Sequence, residues 1–257
     1  RVRHPDRLLG RTLRGLLMRG VAGGVLSLKD SRYTETQLAR ALREGRGRKV
    51  VLRLEDGRYF EFSAREGREE LGVITFDEVT ARIEAEEKIR TMARYDSLTG
   101  LANRTWFHEL VSDHVSVGDP GRHVGLVVFD LDDFKSVNDT LGHPVGDGLI
   151  YAVGERLSRF AGDDVKVSRF GGDEFMIFFN DVKDQDAFSN AVDSIFRSLH
   201  GEVDVAGHSL RIQARAGAVL ARAGNAAVDA MIVRADLALY KAKESGKNSC
   251  QPFEDAM

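Results

Sequence analysis

The chain has 257 residues and a mass of 28.4 kDa, room for one large or two ordinary domains. Its 37 Lys and Arg against 40 Asp and Glu give a formal charge of −3, so no basic surplus marks a nucleic-acid binder. With 42% hydrophobic and 30% charged residues it also lies outside the disordered class. A single cysteine, Cys250, excludes an intrachain disulfide or a thiolate zinc cluster and fits a reducing compartment. No apolar run approaches the roughly 18–20 residues of a membrane helix. A cytoplasmic location is expected, with the longer protein free to carry a membrane tether. Arg1 is not a typical native start, and the chain reads as a piece of something longer.

In chain order, residues 1–48 carry a helical stripe at Leu8, Leu9, Leu13, Leu16 and Leu17, and a second at Leu38, Ala41 and Leu42. Three antiparallel strands follow. Lys49–Leu54 leads through the Asp56-Gly57 pair into Tyr59, Phe60 and Phe62, and a turn at Glu66-Gly67-Arg68 precedes Leu71–Phe76. From Asp77 to Gly100 there is neither Gly nor Pro, and Val79, Ile83, Ala85, Ile89 and Met92 fall at helical spacing. This is a linker helix, open to two readings: packed on its own domain, or paired with a second copy as a coiled coil.

Beyond Gly100 the pattern alternates. Phe107, Leu110, Val111 and His114 share a helix face, and Val124–Phe129 is the continuous apolar run of a central strand. Val145, Leu149, Val153, Leu157 and Phe160 mark a second helix. Val165–Phe170 and Phe175–Phe179 form a hairpin, and Phe188, Val192, Ile195, Phe196 and Leu199 another helix. Leu210–Leu220 reads as one strand and Met231–Lys243 as the last helix. The fold class is α/β (α+β), a mixed sheet covered by helices.

Two acidic clusters carry the chemistry. Asp130 stands where the most apolar strand ends, followed by Leu131-Asp132-Asp133-Phe134-Lys135, at the kind of strand end where such sheets place ligands. Asp173 and Glu174 follow Gly171 and Gly172 on a hairpin tip, where the glycines permit conformations that let a polyanion approach the main chain. Asp is also a favoured helix cap, and solvated acids are common on turns. Adjacent strands would bring Asp130 and Asp173 together, and clustered carboxylates call for a hard cation, Mg²⁺ or Mn²⁺. Such a site suits phosphoryl or nucleotidyl transfer. A calcium loop is excluded, because Phe134 stands where an oxygen ligand is needed.

Four blocks in order resemble the GGDEF family of diguanylate cyclases over about residues 92–257. They are Tyr95-Asp96-Ser97-Leu98-Thr99-Gly100-Leu101-Ala102-Asn103-Arg104; Asp130-Leu131-Asp132-Asp133-Phe134-Lys135 with Asn138-Asp139 and Gly142-His143; Arg169-Phe170-Gly171-Gly172-Asp173-Glu174-Phe175; and Ala238-Leu239-Tyr240 with Ala242-Lys243 and Gly246-Lys247-Asn248. The resemblance implies a palm-like fold and condensation of two GTP into cyclic di-GMP by a homodimer. It implies Asp130, the Leu131 carbonyl, Asp173 and Glu174 as metal ligands, and Asp173 as the group that orients or deprotonates the attacking hydroxyl, with Glu174 and Lys135 beside it. Asn138 and Asp147 would read guanine, Gly171 and Gly172 would admit the substrate, and Lys135, Lys243 and Lys247 would hold phosphates.

The chain departs from the family pattern at two places. Lys247 stands where the family usually has Arg, which keeps the charge and loses the bidentate fork. Gly162-Asp163-Asp164-Val165 replaces the Arg-x-x-Asp product site, so feedback inhibition there is expected to be absent. Upstream, Gly45 to Thr80 resembles the last strands of a PAS sensor, ending in Phe76-Asp77-Glu78-Val79-Thr80. The expected organisation is a sensor segment over 1–77, a linker over 78–95 and the cyclase domain over 96–257. Gln251 to Met257 looks like the junction into an EAL phosphodiesterase domain. The expected function is therefore a regulated diguanylate cyclase; the alternative is a silent GTP-binding domain that controls such a neighbour.

Overall fold

The computed structural model describes residues 12–44, 48–66, 72–117, 121–224 and 227–254. Leu8, Leu9, the turn at 67–71 and the last three residues lie outside the described residues. The chain divides into two compact units, one up to Ile89 and one from Arg90 onward.

In the first unit, α1 (Leu13–Ala22) starts at Thr12, whose hydroxyl accepts from the Gly15 N–H at 3.1 Å. After it come α2 (Leu28–Glu44) and three strands, β1 (Arg48–Arg53), β2 (Tyr59–Glu66) and β3 (Gly72–Glu78), paired antiparallel in the order β1-β2-β3. The expected hairpin turn is present, with Gly57 at φ 89° supplying the left-handed residue. Leu17, Leu26, Leu38, Ala41, Val50, Leu52 and Leu54 form this unit's core. The linker helix α3 (Thr80–Arg94) begins with the Thr80 hydroxyl accepting from the Tyr59 N–H at 2.9 Å, and none of its residues is buried.

The second unit is built on β4 (His123–Leu131). Its even positions Val124, Leu126 and Val128 face one layer of helices and its odd positions Val127, Phe129 and Leu131 the other, which is why the strand is apolar throughout. The first layer is α4 (Arg104–Val117) and α8 (Val228–Ser245); the second is α6 (His143–Ser158) and α7 (Gln185–Leu199). The sheet order is β10-β9-β4-β6-β5, with β5 (Val165–Gly171), β6 (Glu174–Val182), β9 (Ala214–Arg222) and β10 (Cys250–Pro252). Only the β10–β9 pairing is parallel, so the expected mixed sheet covered by helices is what the chain forms. Phe107, Phe129, Phe175 and Phe178 are fully buried, each stabilising the fold by about 2–3 kcal/mol through area removed from water. Gly217 permits the close seating of α8 on β9: a side chain there would strike the main chain at Ala235 and Leu239.

The expected strand Leu210–Leu220 is a correction. The run is broken at Gln213 into β8 (His208–Ile212), which pairs with β7 (Gly201–Val205) in a separate ribbon, and β9 in the main sheet. The physical reason is a change of partner: Ile212 already pairs with Gly201 of β7, whereas Ala214 pairs with Leu131 of β4, and the Gln213 carbonyl between them still accepts from the Asp132 N–H at 2.9 Å. The short helix α5 (Phe134–Leu141) is a further element that the apolar pattern did not separate.

Candidate active site

Strand β4 ends at Asp130 and Leu131, and the chain turns at once into α5 through Asp133, a non-glycine residue at φ 58°. Register places Asp130 opposite Glu174 on β6 and Arg215 on β9. The β5–β6 connection needs left-handed backbone at Gly171 (φ 148°) and Gly172 (φ 53°), and no atom lies within 4 Å of where a side chain would start on either. The main chain at the tip is thus open to a bulky ligand. Asp173 is pushed above the ordinary carboxylate range by burial, then by the charges of Asp130 and Glu174, while its own N–H and Lys243 pull the other way.

The end of α8 closes the other flank. Lys243 pairs with Asp130, whose side chain is only 13% exposed, and Lys247 pairs with Asp133. Between them the buried Asp132 carboxylate pairs with Arg215 and accepts from the Asn248 N–H at 3.0 Å. A cavity of about 260 Å³ adjoins these groups, lined in part by Arg104, Phe170, Glu174, Asp236, Tyr240 and Lys243.

The structure therefore gathers Asp130, Asp173, Glu174, Lys243 and Lys247 in one place. Asn138 and Asp147 form a second group at the α5–α6 corner: the Asn138 amide lies so close to Gly146 that any side chain there would strike it, and Asp147 follows, exposed. Lys135 is exposed on the first turn of α5 with no charged partner among the described residues. The Leu131 side chain is buried in the core, so only its carbonyl could serve a ligand.

Two groups were not singled out by motif reading. Arg169 donates from Nη2 and Nε to the Gly172 carbonyl at 2.7 and 3.1 Å, and from Nη1 to both Asp96 oxygens at 3.1 Å. Asp96 in turn accepts from the Thr99 N–H and hydroxyl at 2.9 and 2.7 Å. Burial pushes the Asp96 carboxyl up, but Thr99 and Arg169 outweigh it and hold it below the usual range. Both residues lie inside the quoted blocks; the available signal was that an arginine beside a Gly-Gly tip must find acceptors. The second group is Asp132 with Arg215 and Asn248, which locks the turn after β4 to the segment carrying Lys247.

The donor set suits a hard divalent cation. Two carboxylates at adjacent strand ends feel each other's charge, and Asp130 already draws a cation to itself. Among the described residues no three His, Cys, Asp or Glu side chains converge as a ready-made metal centre.

The family model "Diguanylate cyclase, GGDEF domain" matches residues 93–249. The cyclic di-GMP phosphodiesterase NbdA of Pseudomonas aeruginosa is 35% identical over 170 residues, 66% of this chain and 22% of its own. An uncharacterized signaling protein of Caulobacter vibrioides is 30% identical over 258 residues, 97% of this chain and 31% of its own. The chain spans between 22% and 31% of the length of these curated relatives. Among solved structures, the coiled coil and GGDEF domain of DgcB from Caulobacter crescentus, in complex with c-di-GMP, aligns with TM-score 0.61 and 27% identity over 68% of this chain and 93% of that one. A sensory box/GGDEF family protein from Caulobacter crescentus CB15 aligns with TM-score 0.56 and 32% identity over 60% of this chain and 100% of that one. On the match of residues 93–249, this chain belongs to the GGDEF family of diguanylate cyclase domains.

Proposed function

We propose that the chain condenses two GTP into cyclic di-GMP and two pyrophosphates, each subunit of a homodimer holding one GTP. The observation that carries this reading is Asp130 facing Glu174 across adjacent strands, with Asp173 on an open glycine tip and two lysines alongside. A Mg²⁺ or Mn²⁺ held by Asp130, Asp173, Glu174 and the Leu131 carbonyl would polarise the α-phosphate. Asp173 orients the 3′-hydroxyl of the facing GTP and takes its proton as that oxygen attacks the α-phosphorus and pyrophosphate leaves. Lys135, Lys243 and Lys247 hold phosphate oxygens. Asn138 and Asp147 present an amide and a carboxylate to the donor and acceptor edge of guanine, selecting GTP over ATP.

The dimer reading is supported by α3, whose Ile89 and Met92 are 67% and 62% exposed and share one face. The first unit is assigned as a PAS-type input, supported by its antiparallel sheet and by Asp77-Glu78-Val79-Thr80 at the start of α3. Feedback through an Arg-x-x-Asp site is absent in this reading; product inhibition lost on mutating Asp163 or Asp164 would overturn that part.

A second reading, a GTP-binding regulatory domain without turnover, is favoured by one observation: relatives matching this region include proteins named as phosphodiesterases. Product analysis after incubation with GTP and Mg²⁺, at a concentration where the chain is shown to be dimeric, separates the two. Cyclic di-GMP from the parent and none from Asp173→Ala is expected. GTP binding by a dimer without pyrophosphate release would establish the regulatory reading instead.

A further inference from the structure

Both lysines assigned to phosphate are already engaged, each by a carboxylate of the turn after β4. Lys243 lies on Asp130 and Lys247 on Asp133. The two pairs differ in kind. Asp130 is largely withdrawn from water and belongs to the metal set, whereas Asp133 and Lys247 are both 55% exposed and touch nothing assigned to the metal.

We propose that Lys243 is the resident counter-ion of Asp130, so that the site takes up the divalent cation and the nucleoside triphosphate together, as their chelate, and refuses the bare cation. The proposal rests on the metal assignment given under the proposed function. A shielded carboxylate holds a counter-charge tightly, because water solvates it poorly. A divalent cation arriving alone must displace the ammonium and leave it beside two positive charges with no anion in exchange. The triphosphate supplies that anion. Lys243 then passes from Asp130 to a phosphate oxygen as the cation takes its place, so that Lys243 and Asp130 each keep an oppositely charged partner.

The fold allows this exchange without moving its frame. Helix α8 is fixed by the buried Ala235, Ala238 and Ala242 and by its seat on Gly217 of β9, so only the flexible lysine stem has to swing. The open cavity beside Lys243 gives the stem room; Asp236 and Glu174 stand on its wall, and Asp173 also feels the charge of Lys243. Lys247 makes the same exchange from Asp133 to phosphate, but its departure frees no metal ligand. The two lysines therefore play separable parts: Lys243 gates the cation, and Lys247 holds only the nucleotide.

The test is a titration of the full chain with Mn²⁺ alone, followed by the electron paramagnetic resonance of the free ion, then repeated with the α,β-methylene analogue of GTP. In the parent, Mn²⁺ alone is expected to bind weakly and the analogue to tighten it by about tenfold or more, the scale of one unscreened unit charge a few ångströms away. Lys243→Met is expected to bind Mn²⁺ alone about tenfold tighter than the parent and to bind the analogue more weakly, two changes of opposite sign. Lys247→Met is expected to weaken the analogue and leave Mn²⁺ alone unchanged. Lys243→Gln serves if the methionine variant does not fold. Unchanged or weaker binding of Mn²⁺ alone in the Lys243 variants, with binding still abolished by Asp130→Asn, overturns the exchange and leaves the metal site standing. No Mn²⁺ binding by any form, with or without the analogue, overturns the metal assignment and this proposal with it.

Discussion

The hairpin carrying Asp173 and the helix end carrying Lys243 reach the same carboxylate, Asp130, and they are held in contrasting ways. The hairpin is fixed: Arg169, its side chain 12% exposed, spends both faces of its fork on the Gly172 carbonyl and on Asp96. The helix end is exchangeable, since its lysines, 41% and 55% exposed, hold side-chain carboxylates that other cations can take. The proposed nucleotidyl transfer needs both. The groups that define the reaction geometry cannot drift, and the groups that grip a charged substrate have to trade partners when it arrives.

The largest expected effect comes from breaking the fixed side. Arg169→Ala leaves the Gly172 carbonyl without its donors and Asp96 without its counter-ion, held by Thr99 alone, a loss of about 2–4 kcal/mol in charge-assisted bonds. Cyclic di-GMP formation is expected to fall about 100-fold and the thermal midpoint by about 5–10 °C. Arg169→Lys is expected to recover little of either, because an ammonium cannot serve both acceptors at once. Retention of full activity by the lysine variant would show that charge alone holds the hairpin.

A smaller effect sharpens the substrate side. Gly146→Ala places a methyl where the Asn138 amide lies, so the amide has to turn away from its position against Gly146. The KM for GTP is expected to rise about tenfold, the scale of one displaced hydrogen-bonding group, with kcat changed far less. Equal loss in kcat and in kcat/KM would instead place Asn138 in the chemical step.

How much of this was legible in the sequence follows the same division. The central strands were read correctly because Val124–Phe129 and Phe175–Phe179 must be apolar on both faces of a covered sheet. The acids Asp130, Asp173 and Glu174 were legible because strand ends and glycine tips announce themselves locally. What failed was long-range. The bend at Gln213 interrupts an unbroken apolar alternation because the residues on its two sides pair with different distant strands, Ile212 with β7 and Ala214 with β4. Likewise the pairs of Lys243 and Lys247 with Asp130 and Asp133 span separations of 113 and 114 residues, beyond any periodic signal. Arg169 stood inside a quoted block, yet its acceptors are a backbone carbonyl and a residue 73 positions away.

The pH response gives the next test of the fixed side. Asp96 is held below its ordinary value in the folded chain, so its contribution is complete above the unfolded carboxylate value and is lost only as pH falls through the lower, folded one. The difference in thermal midpoint between the parent and Arg169→Ala is expected to stay constant above about pH 5 and to narrow below about pH 4. A difference that narrows instead between pH 6 and 8 would show that Asp96 is not the partner that matters.

The smallest effect is expected on the exchangeable side. Lys247→Met removes an exposed pair and is expected to change stability by less than about 0.5 kcal/mol in denaturant unfolding, while still weakening nucleotide binding. A clear loss of stability would mean that the pair holds the fold together and does not wait for a substrate.

The most direct test of the whole account is the structure of this chain with Mg²⁺ and the α,β-methylene analogue of GTP. The account expects the cation on Asp130 and Asp173, guanine against Asn138 and Asp147, and Lys243 moved from Asp130 to a phosphate oxygen while Arg169 still holds Gly172 and Asp96. A nucleotide seated elsewhere, or seated there with Lys243 still on Asp130 and no cation between the carboxylates, would contradict it.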